Sequence, residues 1–398
     1  RDALACYLAD MNATEFRVNH HLSERAVGIG GRFLFAICLV LLPVSWSWGE
    51  PALAQDGKPR TPEVTSAEDS VPVEIRFGRA EPLSKAPNTI RIAAYNVLNL
   101  FDPVDDPTLS GKYDDLPMAT SRDRCLAIAK IIKAIDADVL ALEEVESKEA
   151  IEWFRDEFLQ GLGYDHVASL DVGYYRGVEQ SVLSRFPITG VTAWPDEDIA
   201  DMEAKKTGDG WETKGDAPKL FQRSPLMVDI EVPKTKDRPA YPLTVAVVHH
   251  KSGNFKRQRE SEALQLVELL QSRLEEEPNL NLVVLGDFNA GPFDRSIAVY
   301  KNAGFVNAYE HRWSREEGTQ DLFRTHESDR VIDYIMLHPN VDSEVVERTF
   351  QVVGSRHPGD KYNWRQDEPP SGYAADHYPL VIDLVPQEGR VRTGAAGR

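Results

Sequence analysis

Successive apolar runs of this chain meet polar residues at their ends. "TIRIAAYNV" closes on Tyr95 and Asn96, "DVLALEEV" on Glu143 and Glu144, and "YPLTVAVVHHKS" on His249, His250, Lys251 and Ser252. "NLVVLGDFN" closes on Asp287 and Asn289, Asp333 lies inside "RVIDYIML", and Asp376 and His377 open the run in "AADHYPL". Oxygen ligands without thiolates suit a hard divalent cation: Mg2+, or alternatively Mn2+ or Ca2+. Histidines beside carboxylates suit charge stabilisation and proton transfer near neutral pH. A cation, two imidazoles and an asparagine amide together make a site for attack of water on phosphorus. Singly, each element has a plainer reading: "GDFN" as a turn, Glu144 as a helix cap, His249 and His250 as an exposed pair, Asp376 and His377 as loop residues. Their recurrence at the ends of apolar runs favours convergence on one rim of a sheet. The chain contains no P-loop, no G-x-S-x-G, no paired C-x-x-C and no H-E-x-x-H.

Such a rim needs strands that end together and helices that cover them. "SRDRCLAIAKIIKAIDA" has apolar residues at helical spacing, with Ser121 as its N-cap. "SKEAIEWFRDEFL" and "KRQRESEALQLVELLQSRLEEE" read as helices, and "SIAVYKNAG" as a helix ending at Gly304. Strands and helices mix along about 300 residues without strict alternation. A single mixed α/β domain of two packed sheets flanked by helices therefore fits better than a doubly wound parallel sheet. Phe288, between Asp287 and Asn289, should point the other way, into the packing. Residues 55–87 read as a linker with an edge strand in "VPVEIRF", 194–218 as a long polar surface loop, and 387–398 as a flexible tail. The acids Asp102, Asp105, Asp106, Asp114 and Asp115 lack a regular ligand spacing and read as a solvated loop rather than a Ca2+ site.

The pieces "AAYNVLNLFD", "DADVLALEEVE", "LSRFPI", "VVHHKSG", "VVLGDFNAGPFD", "VIDYIML" and "AADHYPL" resemble, in order, the signature blocks of the endonuclease/exonuclease/phosphatase superfamily, the DNase I-like metal-dependent phosphoesterases. The resemblance covers residues 88–386 and implies a four-layer α/β/β/α sandwich with its site at one end of two central sheets. It implies that Glu144 binds the metal, that Asn96 supports metal and phosphate, and that Asp376 lies next to the metal. Asp287 and Asn289 match the pair that activates water and holds a phosphate oxygen. His377 matches the histidine on the scissile phosphate, Asp333 its orienting carboxylate, and His249 the second histidine; His250 falls on a variable position. Arg176 in "YYRGVEQ" and Arg223 in "FQRSPL" are candidate phosphate contacts, with ordinary surface arginines as the alternative. The sequence departs from the family pattern at Leu98, where an acid is common, at Val248 in place of Asn, and at Glu143 in place of Gln. These departures bear on metal number and preference.

The formal net charge is −19, and about −18 without residues 1–54. That excludes a protein that coats nucleic acid by bulk attraction, but not a phosphoesterase whose bound cation reverses the local field. Arg25 and Arg32 precede the apolar "FLFAICLVLLPVSW" and a small-x-small site at Ala52–Ala54. This pattern predicts a signal peptide within residues 1–54, with a membrane anchor as the alternative. The run is short against the roughly 20 residues a span needs. Cleavage would leave Cys125 as the one cysteine, a buried apolar residue with no bridge to form. The expectation is a secreted or periplasmic, monomeric hydrolase of phosphoric ester bonds without stable membrane insertion. A nuclease reading comes first and a lipid-headgroup or small-molecule phosphodiesterase or phosphatase second. The contrasting class is a non-catalytic binding protein on the same fold.

Overall fold

Strand alternation sorts the chain into layers. A computed structural model describes residues 74–111, 114–199, 219–363 and 367–387. The expected signal peptide, the tip of the 194–218 loop and residues 388–398 of the tail lie outside the described residues. One sheet contains β1 (Ile90–Leu100), β2 (Val139–Val145), β3 (His166–Ser169), β4 (Glu179–Ser184), β11 (Gln351–Val352) and β12 (Leu380–Leu384), in the order β11-β12-β1-β2-β4-β3. The other contains β5 (Ile188–Ala193), β6 (Leu226–Val232), β7 (Tyr241–His249), β8 (Leu282–Asp287), β9 (Val306–Asn307) and β10 (Asp333–Leu337), in the order β5-β6-β7-β8-β10-β9.

On β1, Ile92 and Ala94 face the other sheet, while Ala93 and Tyr95 face outward. Val245 and Val247 of β7 and Val283 and Leu285 of β8 face inward to meet them. The outer face of the first sheet is covered by α1 (Arg122–Ile135) and α2 (Lys148–Phe158). In α1 the buried Cys125, Ile128, Ala129 and Ile132 repeat at helical spacing, and Ser121 Oγ accepts from Arg124 N–H at 3.3 Å. Ser147 caps α2 in the same way. The second sheet is covered by α3 (Lys256–Glu276) and α4 (Arg295–Asn302). Helix α4 stops where Gly304 turns to φ +94°, with Gly304 N–H on Lys301 O and Phe305 N–H on Tyr300 O. The four-layer sandwich expected from the sequence is therefore present.

Two boundaries differ from expectation. The described part of the segment read as linker, residues 74–87, joins the domain: Phe77 is in the central core, and Arg79 bridges to Val353. Gly78 and Gly354 touch so closely there that a Cβ on Gly78 would lie 2.6 Å from Gly354 N. The acidic loop is not uniformly solvated either, since Asp102 and Asp115 are buried. Asp102 Oδ1 accepts from Val104 N–H and Asp115 Oδ2 from Asp106 N–H, so these acids fold the loop rather than face water.

Candidate active site

Parallel pairing brings the polar ends together. β1 pairs with β2 in parallel, with Asn96 opposite Glu143, and β7 pairs with β8 in parallel, with His249 opposite Asp287. β10 runs antiparallel to β8 and starts where β8 ends, Asp333 opposite Asp287. The period of two does the rest. Asn96 shares the inward face of Ile92 and Ala94, and His249 that of Val245 and Val247. Asp287 shares the face of Val283 and Leu285, and Asp333 that of Ile335. Glu144 breaks the pattern at φ +63°, where the pairing of β2 with β4 shifts register. This bulge turns the second acid of the pair toward His249 while Glu143 keeps the inward position.

The side chains form an arc of alternating acids and imidazoles. Glu144 Oε1 lies 3.7 Å from His249 Nε2, and His249 Nε2 lies 3.4 Å from Asp287 Oδ2. Asp287 Oδ2 lies 3.8 Å from His377 Nε2, which lies 3.9 Å from Asp376 Oδ1. Asp376 Oδ2 is 3.5 Å from Nε2 of a further histidine, His326. These spacings exceed ordinary hydrogen bonds and leave room for a guest between the acids and the imidazoles. Behind the arc the bonds are short. Asp333 holds His377 Nδ1 at 2.9 and 3.1 Å. Asn289 donates to Asp287 from its backbone at 2.8 Å and its amide at 2.9 Å, and Asn96 Nδ2 adds a bond to Asp287 at 3.3 Å.

Electrostatics gives the two imidazoles opposite states. Burial disfavours the charged form of His377, but Asp333 and Asp287 outweigh it and hold the imidazolium well above its ordinary value. Burial pushes His249 well below its ordinary value, and the charges of Arg223 and His377 add to this, so it is neutral. Burial raises Asp287 to about 7 against the opposing charge of His377. Asp376 would also be raised by burial, but His326 and His377 hold it down to about 2.

The donor set fits a hard divalent cation. Glu144 and Asp376 offer carboxylates without thiolate competition, and Asp376 Oδ1 is buried without a hydrogen bond among the described residues. Asn96 Oδ1 accepts from Leu98 N–H at 3.0 Å and its amide donates to Asp287 at 3.3 Å, which fixes Asn96 beside the arc.

Other sequence candidates separate here. His250 faces outward, bonded to Tyr300 Oη at 2.8 Å and 3.3 Å from Glu262 on α3. Phe288 is fully buried against Tyr300 and Tyr334, as expected. Arg223 is a correction. It is buried, and its guanidinium holds His249 O at 3.0 Å, His250 O at 2.8 Å and Tyr174 Oη at 3.2 Å. With those groups engaged, it fixes the end of β7 instead of presenting itself to a phosphate. Arg176 is half-buried and donates to Asn99 Oδ1 at 2.6 Å, and its charge acts on His249. His326 was missed because it lies in the loop "RTHESDR", where no apolar run announces it.

A family model described as Endonuclease/Exonuclease/phosphatase family matches residues 94–357. The chain belongs to this family, and it is a hydrolase of phosphoric ester bonds. Among solved structures it is similar to the human Nocturnin catalytic domain with bound sulfate, at 18% identity and TM-score 0.48, covering 75% of this chain and 95% of that one. A Bacteroides thetaiotaomicron mannosyl-6-phosphatase matches at 17% identity and TM-score 0.45, covering 74% and 99%. Humanized D. rerio TDP2 matches at 13% identity and TM-score 0.45, covering 75% and 99%. Comparison with curated protein sequences gives no match.

Proposed function

We propose that the chain is an exported, Mg2+-dependent phosphodiesterase, with nucleic acid as its first substrate class. The observation that carries the reading is the placement of Asp287 between two imidazoles, 3.4 Å from His249 Nε2 and 3.8 Å from His377 Nε2, with Asp333 behind His377 Nδ1. Water attacks phosphorus in line with the leaving oxygen. Asp287, held by Asn289 and Asn96, orients this water and takes its proton. His377, kept cationic by Asp333, donates to a non-bridging oxygen as negative charge builds there. Neutral His249 donates a second hydrogen bond without adding positive charge beside His377. The cation, held by Glu144 with Asp376 adjacent, supplies Lewis-acid neutralisation of phosphate charge when bound.

Small or lipid-headgroup esters are the second reading, favoured by the acidic balance of the chain, which repels long polyanions outside the site. Side-by-side hydrolysis of plasmid DNA, bis-p-nitrophenyl phosphate and p-nitrophenyl phosphate separates the two. Plasmid nicking that EDTA stops supports the nuclease. Ester turnover with intact plasmid moves the assignment to small or lipid phosphates.

A further inference from the structure

His326 is the one member of the arc that no motif assigns. It sits on a tight turn: His326 N–H and Thr325 N–H both donate to Arg330 O, and Asp329 N–H returns to His326 O. The turn is sewn to the segment carrying the catalytic histidine, with Tyr378 N–H on Thr325 O at 2.8 Å and Glu327 N–H on Asp376 O at 2.9 Å. His326 therefore stands directly across from His377, their rings 4.6 Å apart at 89°.

Two roles compete for this imidazole. His326, Asp376 and His377 have the composition of a small metal site, their potential ligand atoms all within 4.8 Å of one another. Hydrogen bonding behind the ring decides against it. His326 Nδ1 accepts the backbone N–H of Ser328 at 2.9 Å. A ring nitrogen that accepts an N–H carries no proton of its own, so in the neutral imidazole the proton is on Nε2. Nε2 then has no lone pair for a cation. It is an N–H donor directed toward the Asp376 end of the arc, 3.5 Å from Asp376 Oδ2, a long contact that an incoming phosphate oxygen can share. The side chain keeps 16% of its surface open, enough for a ligand atom to reach it.

We propose that His326 Nε2–H donates to a phosphate oxygen of the bound ester, extending the recognition arc one group beyond His377. It is thus a substrate-binding residue rather than a metal ligand. The inference rests on the phosphoesterase reading and deepens it.

The test compares wild type, His326→Ala and His326→Gln with bis-p-nitrophenyl phosphate across a Mg2+ titration. A hydrogen bond to a charged partner corresponds to between about tenfold and about a hundredfold in binding. The expected result is a KM raised by that factor in His326→Ala, little change in kcat, recovery of most of the loss in His326→Gln, and an unchanged Mg2+ activation constant. An unchanged KM in His326→Ala overturns the proposal, and so does a shifted Mg2+ constant. In parallel, inorganic phosphate is titrated into 15N-histidine-labelled wild type. The proposal requires an unprotonated Nδ1 on His326 and a phosphate-dependent shift of its Nε2–H; failure of either overturns it. If the wild type hydrolyses no ester yet phosphate still shifts that resonance, the esterase reading fails and the donor stands.

Discussion

At the residue scale, the adjacent His249 and His250 show how one backbone step divides chemistry from stability. His249 points between the sheets and reaches Glu144 and Asp287, while His250 points into the helical layer. His249→Ala should lower kcat/KM by about a hundredfold while leaving Tm close to wild type. His250→Ala removes the partner of Tyr300 and the imidazole beside the buried Glu262 carboxylate, which keeps the N–H groups of Gln222 and Lys251 and the amide of Gln258, costing about 2 kcal/mol in urea unfolding with kcat/KM retained. Equal effects of both on activity would contradict the alternation. Alternation was legible in the sequence, because "TVAVVHH" fixes which histidine shares the face of Val245 and Val247. The use of Arg223 was not. A guanidinium that grips the carbonyls of His249 and His250 depends on a fold contact across 26 and 27 residues. His326 depends on a turn that only tertiary pairing brings beside His377.

At the element scale, the end of β8 sets the site. Gly286 adopts φ +125°, and an added Cβ would stand 2.3 Å from Val248 O and 2.7 Å from Glu143 Oε1. Glu143 occupies that space as a fully buried acid with neither carboxyl oxygen hydrogen-bonded among the described residues, and burial with Asp333 and Asp287 nearby drives it far toward the neutral form. Gly286→Ala should therefore cost about 3 kcal/mol or more, measured by urea unfolding, and lower kcat through displacement of Asp287. A neutral outcome would mean that β8 and β7 are not packed this closely. Helices α1, α3 and α4 and the strands that carry the site were readable from periodicity and caps. The short, partly exposed β5 and the two-residue β9 and β11 carry too little alternation to be read without their partners. The register shift that turns Glu144 into the site was likewise invisible, because "LEEV" offers two acids and no turn residue.

At the scale of the whole molecule, the two sheets share one core, and a buried ion pair ties neighbouring strands within the first sheet. Arg91 of β1 meets Asp383 of β12 at 2.7 and 2.9 Å and also donates to Ile135 O at 2.9 Å. Not every buried acid is paired in this way. Burial pushes Glu179 up to about 8 in the folded protein, against an ordinary value of 4.5. A raised folded value means that the folded state binds this proton more tightly than the unfolded chain. The associated stability is fully present below about pH 4.5 and is lost as pH rises through about 8. Glu179→Gln should raise Tm by several degrees at pH 9 and give no gain at pH 5, as scanning calorimetry would register. The opposite ordering would mean that Glu179 is charged in the fold. Among the described residues no helix is long and apolar enough to cross a membrane.

The most direct test of the central claim is the rate of bis-p-nitrophenyl phosphate hydrolysis by wild type and His377→Ala, with Mg2+ and with EDTA. The account predicts turnover that EDTA abolishes and Mg2+ restores, with a kcat lower by about 10²–10⁴ in folded His377→Ala. Turnover that survives EDTA, or a His377→Ala variant as fast as wild type, would contradict it.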